Sequence, residues 1–165
     1  MTDAATLFEE HHQALYRYLV RFTGDPDAAA DAAQETFLRL VERPPPEGAR
    51  RAWLYTVATN VALDVTRTGA RRRRLLGGAD ARAPLADPPR DPHERLEAEE
   101  RAAAVAAALA TLSPKERTAL LMREEGFAHR EIAVAVGTTT GSVGTLLARA
   151  LDRLADRIDL DSHSP

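Results

Sequence analysis

One short pattern recurs three times in this chain and limits what it can fold into: a side-chain acceptor, then Pro, then an acid in the same turn. It reads Asp25-Pro26-Asp27, Asp91-Pro92-His93-Glu94 and Ser113-Pro114-Lys115-Glu116. An Asp or Ser just before a helix accepts from backbone N–H groups that the helix cannot satisfy internally. Pro suits the first helical position, where its missing N–H costs nothing, and an acid in the first turn is favoured by the helix dipole. The pattern therefore marks three helix starts. Strand signals are absent, so the fold class is all-α.

The remaining helices follow from apolar spacing. Thr6 to Glu9 has the form of a capping box, and Leu7, Phe8, Leu15, Tyr18, Leu19 and Phe22 recur at helical spacing up to Gly24. The helix opened by Asp25 carries Ala29, Ala33, Phe37, Leu40 and Val41 and stops at Pro44-Pro45-Pro46. A long third helix spans "ARRAWLYTVATNVALDVTRTGARRRR". Trp53, Leu54, Val57, Ala58, Val61 and Val65 form its apolar stripe, with Arg50, Arg51, Asn60, Asp64, Arg67 and Arg71 largely off it. Residues 75–90, "LLGGADARAPLADPPR", are rich in Gly and Pro with little to bury and read as a flexible linker. Fully extended they reach about 50 Å. The expected organisation is two small helical domains, 1–74 and 91–160, joined by that linker.

Within the second domain an Ala-rich helix comes first, then one carrying Thr118, Leu120, Leu121 and Met122 and ending near Gly126. Two shorter helices follow, Arg130 to Val136 and Thr140 to about Ile158. Ile132, Ala133 and Val136 bury the first of these; Gly137 makes the turn; Val143, Leu147, Ala150, Leu151 and Leu154 bury the second, and Thr139 caps it. The spacing matches a helix-turn-helix, whose second helix enters the major groove by its N-terminal end. A helical hairpin that never meets DNA has the same spacing.

Charge is unevenly placed. The whole chain has a formal net charge of −3. From Arg43 to Arg74, eight Arg face only Glu47 and Asp64; from Asp91 onward, nine basic residues face thirteen acidic ones. One segment is a basic stripe, and the rest would on balance repel a polyanion. Trp53 and Tyr55 beside Arg50 and Arg51, with Asn60 beyond, suit single-stranded bases, which stack on rings while Arg holds phosphates. Trp53 as a core residue is the competing reading. "DAAQETFLRLVER" sets Asp31, Gln34 and Glu35 on neighbouring turns beside Phe37 and Leu38, a second signal whose plain reading is a solvated helix face.

Other chemistries find little support. There is no Cys, hence no disulfide or thiolate metal site. Glu9, Glu10, His11 and His12 hint at a metal, but adjacent His side chains diverge and no second cluster completes a ligand set. No catalytic residues, metal, cofactor or small-molecule substrate are expected. The N-terminus lacks a signal-peptide pattern and no apolar run reaches the ~20 residues of a membrane span, so the cytoplasm is the expected compartment.

"GDPDAAADAAQETFLRLVE", "RRAWLYTVATNVALDVTR" and "LSPKERTALLMREEGFAHREIAVAVGTTTGSVGTLLARALDRL" occur in this order across the linker. In that combination the chain resembles a bacterial RNA polymerase sigma factor of the sigma-70 family, in its small two-domain extracytoplasmic-function branch. The resemblance implies a partner, core RNA polymerase, and a second one, promoter DNA. Asp31, Gln34, Glu35 and Phe37 would dock on the clamp helices of the β′ subunit. "RPPPEGAR" would capture a base flipped from the −10 element, an act that costs a few kcal/mol of unstacking. Arg50, Arg51, Trp53, Asn60, Asp64, Arg67 and Arg71 would read and melt that element. The linker would thread near the active-site cleft or RNA exit path, and the helices around Leu112 to Met122 would meet the β flap. Arg130, Thr139, Thr140, Ser142, Gly144, Thr145 and Arg149 would contact the −35 element. Many members are held inactive by an anti-sigma factor, often membrane-bound, so such a partner is among those expected.

The chain departs from the family at its recognition helix. Members commonly carry a pattern like "GTVKSRL"; here it is "GSVGTLL", with Gly144 in place of Lys and Leu146 in place of Arg. A mid-helix Gly costs ~1 kcal/mol relative to Ala. Thr139, Thr140, Ser142 and Thr145 remain as donors, and Arg130, Arg149 and Arg153 as phosphate contacts. The alternative function is an autonomous helix-turn-helix regulator binding duplex DNA as a dimer. The acidic balance of the second domain weighs against it, because duplex affinity rests heavily on phosphate neutralisation.

Overall fold

All three signature starts cap helices as read. Asp25 accepts from the Asp27 N–H at 3.0 Å, Asp91 from the His93 N–H at 3.3 Å, and Ser113 from the Glu116 N–H at 3.2 Å. The structure, a computed structural model, describes residues 3–76 and 91–162, with side chains described for 3–68 and 91–157. The expected linker therefore lies almost wholly outside the described residues. The helices are α1 (Ala4–Thr23), α2 (Pro26–Glu42), a 3₁₀ turn (Glu47–Ala49), α3 (Arg50–Leu76), α4 (Pro92–Ala110), α5 (Pro114–Glu124), α6 (His129–Val136) and α7 (Thr140–Ser162). No strand occurs among the described residues. The chain divides into two compact units, with the division falling inside segment 77–90.

The first unit packs α1, α2 and α3 against one another. Leu15, Tyr18, Leu19 and Phe22 of α1 meet Ala29, Ala32 and Leu40 of α2 and Leu54, Tyr55 and Ala58 of α3, all buried. Alanine on α2 lets the helices approach closely, and the two tyrosines fill the wider space, their rings edge to face at 4.9 Å. Thr59 donates to the Tyr55 carbonyl at 2.7 Å, so the Tyr18 phenol supplies the proton of the 2.8 Å bond between their hydroxyls. Thr59→Val removes that acceptor beside a phenol with no access to water. A loss of about 1–3 kcal/mol is expected, and thermal unfolding of the variant measures it.

Three local expectations are corrected here. Helix α1 starts at Ala4 after Asp3, ahead of Thr6, so Thr6 to Glu9 is not its capping box. The buried stripe of α3 is turned toward Tyr55, Thr59 and Ala62, while Trp53, Val57 and Val65 sit half-buried at its margin. Phe8 and Val41, read as core-facing, are 44% and 66% exposed. Apolar spacing fixes the centre of a stripe but not which flank the neighbouring helix covers.

The second unit packs α5 against α6 and α7, with α4 touching α7. Leu109, Leu112, Leu121, Met122, Phe127, Ile132, Val143 and Ala150 form its core. Arg117 ties α4 to α5: its guanidinium donates to the carbonyls of Leu109 at 3.1 Å and Leu112 at 3.2 Å. Burial pulls its pKa down, and carbonyls at a helix C-terminus are the groups a cation serves best. Most of α4 before that point stands exposed, from Pro92 to Arg101 without a break. Leu151, read as buried, is 56% exposed because Ala150 takes the inward position beside it. Helix α3 runs to Leu76 and α7 to Ser162, each a little beyond the expected ends.

Candidate nucleic-acid interface

Helix α3 presents one face outside its buried stripe, apolar at its N-terminal end and polar beyond. At ~100° per residue, positions 53, 57, 60, 64, 67 and 71 fall within an arc of about 80°. Asn60, Asp64 and Arg67 are exposed on that face, and Trp53 lies half-buried at its N-terminal end. Arg71 lies where only the backbone is described. Arg50 and Arg51 are placed differently from the rest. The Arg50 side chain is 15% exposed and lies 3.7 Å from Glu47 in the 3₁₀ turn. Arg51 lies over the Tyr55 ring, 5.4 Å from its centroid, on the far side of the helix from Asn60. Tyr55 itself is 1% exposed, so it is a core ring and not a stacking platform. The Arg43–Ala49 segment runs over the surface with only Pro45 buried, which pins the loop at its middle.

Helix α2 carries a second surface. Asp31 and Gln34 are exposed, and Glu35 pairs with Arg39 at 3.1 Å. Phe37 is not on the outside: it is 9% exposed and forms the floor of a groove between α1 and α2. That groove holds about 590 Å³ and is lined by Phe8, His12, Tyr16, Ala33, Leu38 and Val41, among others. Phe8 stacks on His12 at 4.5 Å and meets Phe37 edge to face at 4.9 Å. Phe8, Leu38 and Val41 leave large apolar side chains in water. Contiguous exposed apolar surface of this kind marks an interaction site. Reasoning from the sequence missed Phe8, His12 and Tyr16; their i, i+4, i+8 spacing on α1 was the available signal. Among the described residues no cluster of three His, Asp or Glu can hold a metal.

In the second unit α6 and α7 meet at 84°, close to the crossing of a helix-turn-helix. Gly137 ends α6 with φ +71°, a left-handed conformation that costs a side chain but not glycine. Its N–H returns to the α6 carbonyls, and the Thr138 N–H donates to Ala133 at 2.9 Å. Thr139 caps α7, accepting from the Ser142 N–H at 3.3 Å, and its hydroxyl pairs with the Ser142 hydroxyl at 2.8 Å. Val143 is fully buried and anchors α7 against the rest of the unit. Thr140, Gly141, Gly144, Thr145 and Arg149 are exposed, as is Arg130 at the start of α6. Leu146 is half-buried. Arg153 lies 3.5 Å from the buried carboxylate of Glu116, so its charge is engaged within the unit. Glu116 thus faces α7 and does not close a reciprocal box with Ser113.

Two family models match the chain: sigma-70 region 2 over residues 7–73 and sigma-70 region 4 over residues 102–154. The chain is 36% identical over 154 residues to the ECF RNA polymerase sigma factor SigL of Mycobacterium tuberculosis, covering 90% of this chain and 84% of that one. It is 32% identical to the ECF RNA polymerase sigma factor SigE of Mycolicibacterium smegmatis, covering 91% of this chain and 59% of that one. Among solved structures, it is similar in fold to the sigma factor RpoE of Bartonella quintana, solved with the anti-sigma factor NepR. There the TM-score is 0.68 at 19% identity, with 95% of this chain and 97% of that one covered. CnrH, solved with the cytosolic domain of CnrY, gives a TM-score of 0.65 at 22% identity, covering 98% and 89%.

Proposed function

The chain belongs to the extracytoplasmic-function branch of the sigma-70 family of RNA polymerase sigma factors, and on that premise we propose how its surfaces divide the work. As a sigma factor it joins core RNA polymerase and directs promoter-specific initiation. The polymerase supplies the chemistry, and this chain supplies recognition with no catalytic residues of its own. The observation that carries the reading is the match of region 2 and region 4, in order, along one chain.

The α3 face with Trp53, Asn60, Asp64 and Arg67 reads and melts the −10 element. Exposed Asn and Arg reach bases and phosphates there, while half-buried Trp53 offers a ring edge where strands part. Arg51 supports that face indirectly by packing on Tyr55. The α1–α2 groove with Asp31, Gln34 and Glu35 on its rim docks on the β′ clamp helices, with Phe37 holding the groove in shape from below. The second unit reaches the β flap through the region of Leu112 to Met122 and the −35 element through α6 and α7. The protein acts in the cytoplasm, and no single helix among the described residues is long and apolar enough to cross a membrane. An anti-sigma factor covering these same surfaces is the expected negative regulator. The domain division proposed for these roles is 1–74 and 91–160, with 75–90 as linker.

Mixing the purified chain with core polymerase tests the reading. Co-elution and discrete run-off transcripts on genomic fragments are expected; absence of both overturns it. A shift of duplex DNA at physiological salt without polymerase would instead favour the autonomous regulator. One substitution gives a finer check. Arg67 is exposed on α3, so Arg67→Ala leaves stability within ~0.5 kcal/mol. It is expected to lower the log–log salt slope of promoter binding by the holoenzyme by about 1, read from affinities at several salt concentrations.

A further inference from the structure

Helix α7 contains two glycines, Gly141 and Gly144, in its first turns. Neither has a positive φ, and a Cβ built on either meets nothing within 4 Å. The protein's own packing therefore gives no reason for a bare backbone at either position. Both weaken the helix relative to Ala. Departures from local preference without an internal compensation belong to functional sites.

A second observation concerns the neighbour of Gly144. Mid-helix threonines elsewhere in the chain turn their hydroxyls inward: Thr36, Thr56, Thr59, Thr68 and Thr118 each donate to the carbonyl four residues back. Thr145 is equally mid-helix and exposed, and among the described residues it makes no such bond to Gly141. Thr139 and Ser142, by contrast, are engaged with each other in the cap. Thr140, in the first turn, and Thr145, mid-helix, are thus the exposed hydroxyls of this segment outside the cap, and Thr145 lies directly beside Gly144, which has no side chain.

Resting on the sigma-factor reading above, we propose that Gly144 and Thr145 determine the sequence preference of the second unit. The bare backbone at Gly144 lets α7 seat deeper in the major groove than a helix bearing Lys there. Thr145 then brings both a hydroxyl and a methyl to a base-pair edge. Ser and Thr hydroxyls serve either donor or acceptor edges, and an apolar contact of the Thr methyl fits the methyl of thymine. The ligand chemistry is a duplex half-site with thymine facing Thr145. Phosphate attraction is left to Arg130 and Arg149, which are exposed at the edges of the motif.

Gly144→Ala gives effects of opposite sign and tests this directly. The variant gains helix propensity in open space, so the melting temperature of the second unit rises by about 4–8 °C. At the same time, binding of the reconstituted holoenzyme to a promoter with an intact −35 region falls about tenfold. Selection from a library randomised in that region returns a weaker consensus. Thr145→Val, which keeps the branched shape but loses the hydroxyl, shifts the selected base at a single position. If Gly144→Ala is more stable yet binds and selects as the parent does, with core binding and −10 melting retained, the proposal is overturned alone. If the parent chain forms no complex with core polymerase, the sigma-factor reading fails and this one with it.

Discussion

Leu38→Asp is expected to weaken docking on core polymerase by more than an order of magnitude while leaving the fold intact. Leu38 is 53% exposed at the mouth of the α1–α2 groove, beside Phe8 at 44% and Val41 at 66%. It makes little contribution to the core, so the cost to stability stays within ~0.5 kcal/mol. A partner that fills this groove must desolvate whatever stands at position 38. A carboxylate there faces apolar surface and has the acids of the rim, Asp31 and Glu35, for neighbours on the same helix. Loss of a central apolar anchor costs about 2–4 kcal/mol of binding, or roughly 30- to 700-fold in affinity. Titration of fluorescently labelled protein with core polymerase measures this, with circular dichroism confirming that helicity and melting are retained. An unchanged affinity would move the docking surface away from the groove.

The second large effect is structural and confined to one unit. Ile132 is fully buried in α6, in the core that also holds Met122, Phe127 and Val143. Ile132→Ala deletes most of that side chain and costs about 2–5 kcal/mol. A core of some 70 residues rarely supplies more than ~3–5 kcal/mol in total, so the second unit loses cooperative folding. The first unit has its own core around Leu15, Tyr18 and Tyr55 and is expected to keep it. Amide hydrogen exchange separates the two outcomes. Protection should disappear over residues 114–157 and persist over residues 4–62. Equal loss in both units would mean that they do not fold independently. In transcription, the variant should lose dependence on the −35 region before it loses the ability to bind core polymerase.

Much of this was legible from residue order. The caps at Asp25, Asp91 and Ser113 act through a side chain and a backbone N–H two or three residues on. Such short-range chemistry needs no knowledge of the rest of the fold. The same is true of Gly137, whose left-handed φ is required by the turn it makes, and of the spacing that makes Val143 the anchor of α7. The exposed face of Asn60, Asp64 and Arg67 also follows from helical geometry alone.

Where side chains meet across helices, order along the chain was not enough. Trp53 and Tyr55 both sit beside the α3 stripe. Tyr55 is the one buried because Tyr18 and Thr59 offer an edge-to-face ring contact and a shared hydroxyl network. Phe8 satisfies the apolar period of α1, yet among the described residues no third helix covers the groove it lines, so it stays in water with Leu38 and Val41. Arg153 belongs to a basic series that suggested phosphate contacts, but the buried carboxylate of Glu116 claims it from another helix. Residue order alone placed the helices, the three capped starts, the order of the two regions and hence the family, because caps, periods and motifs are local. Tertiary structure alone decided which apolar residues remain exposed for a partner, which arginines are already engaged, and that Gly144 is bare without an internal cause. Those properties depend on what the neighbouring helices leave uncovered.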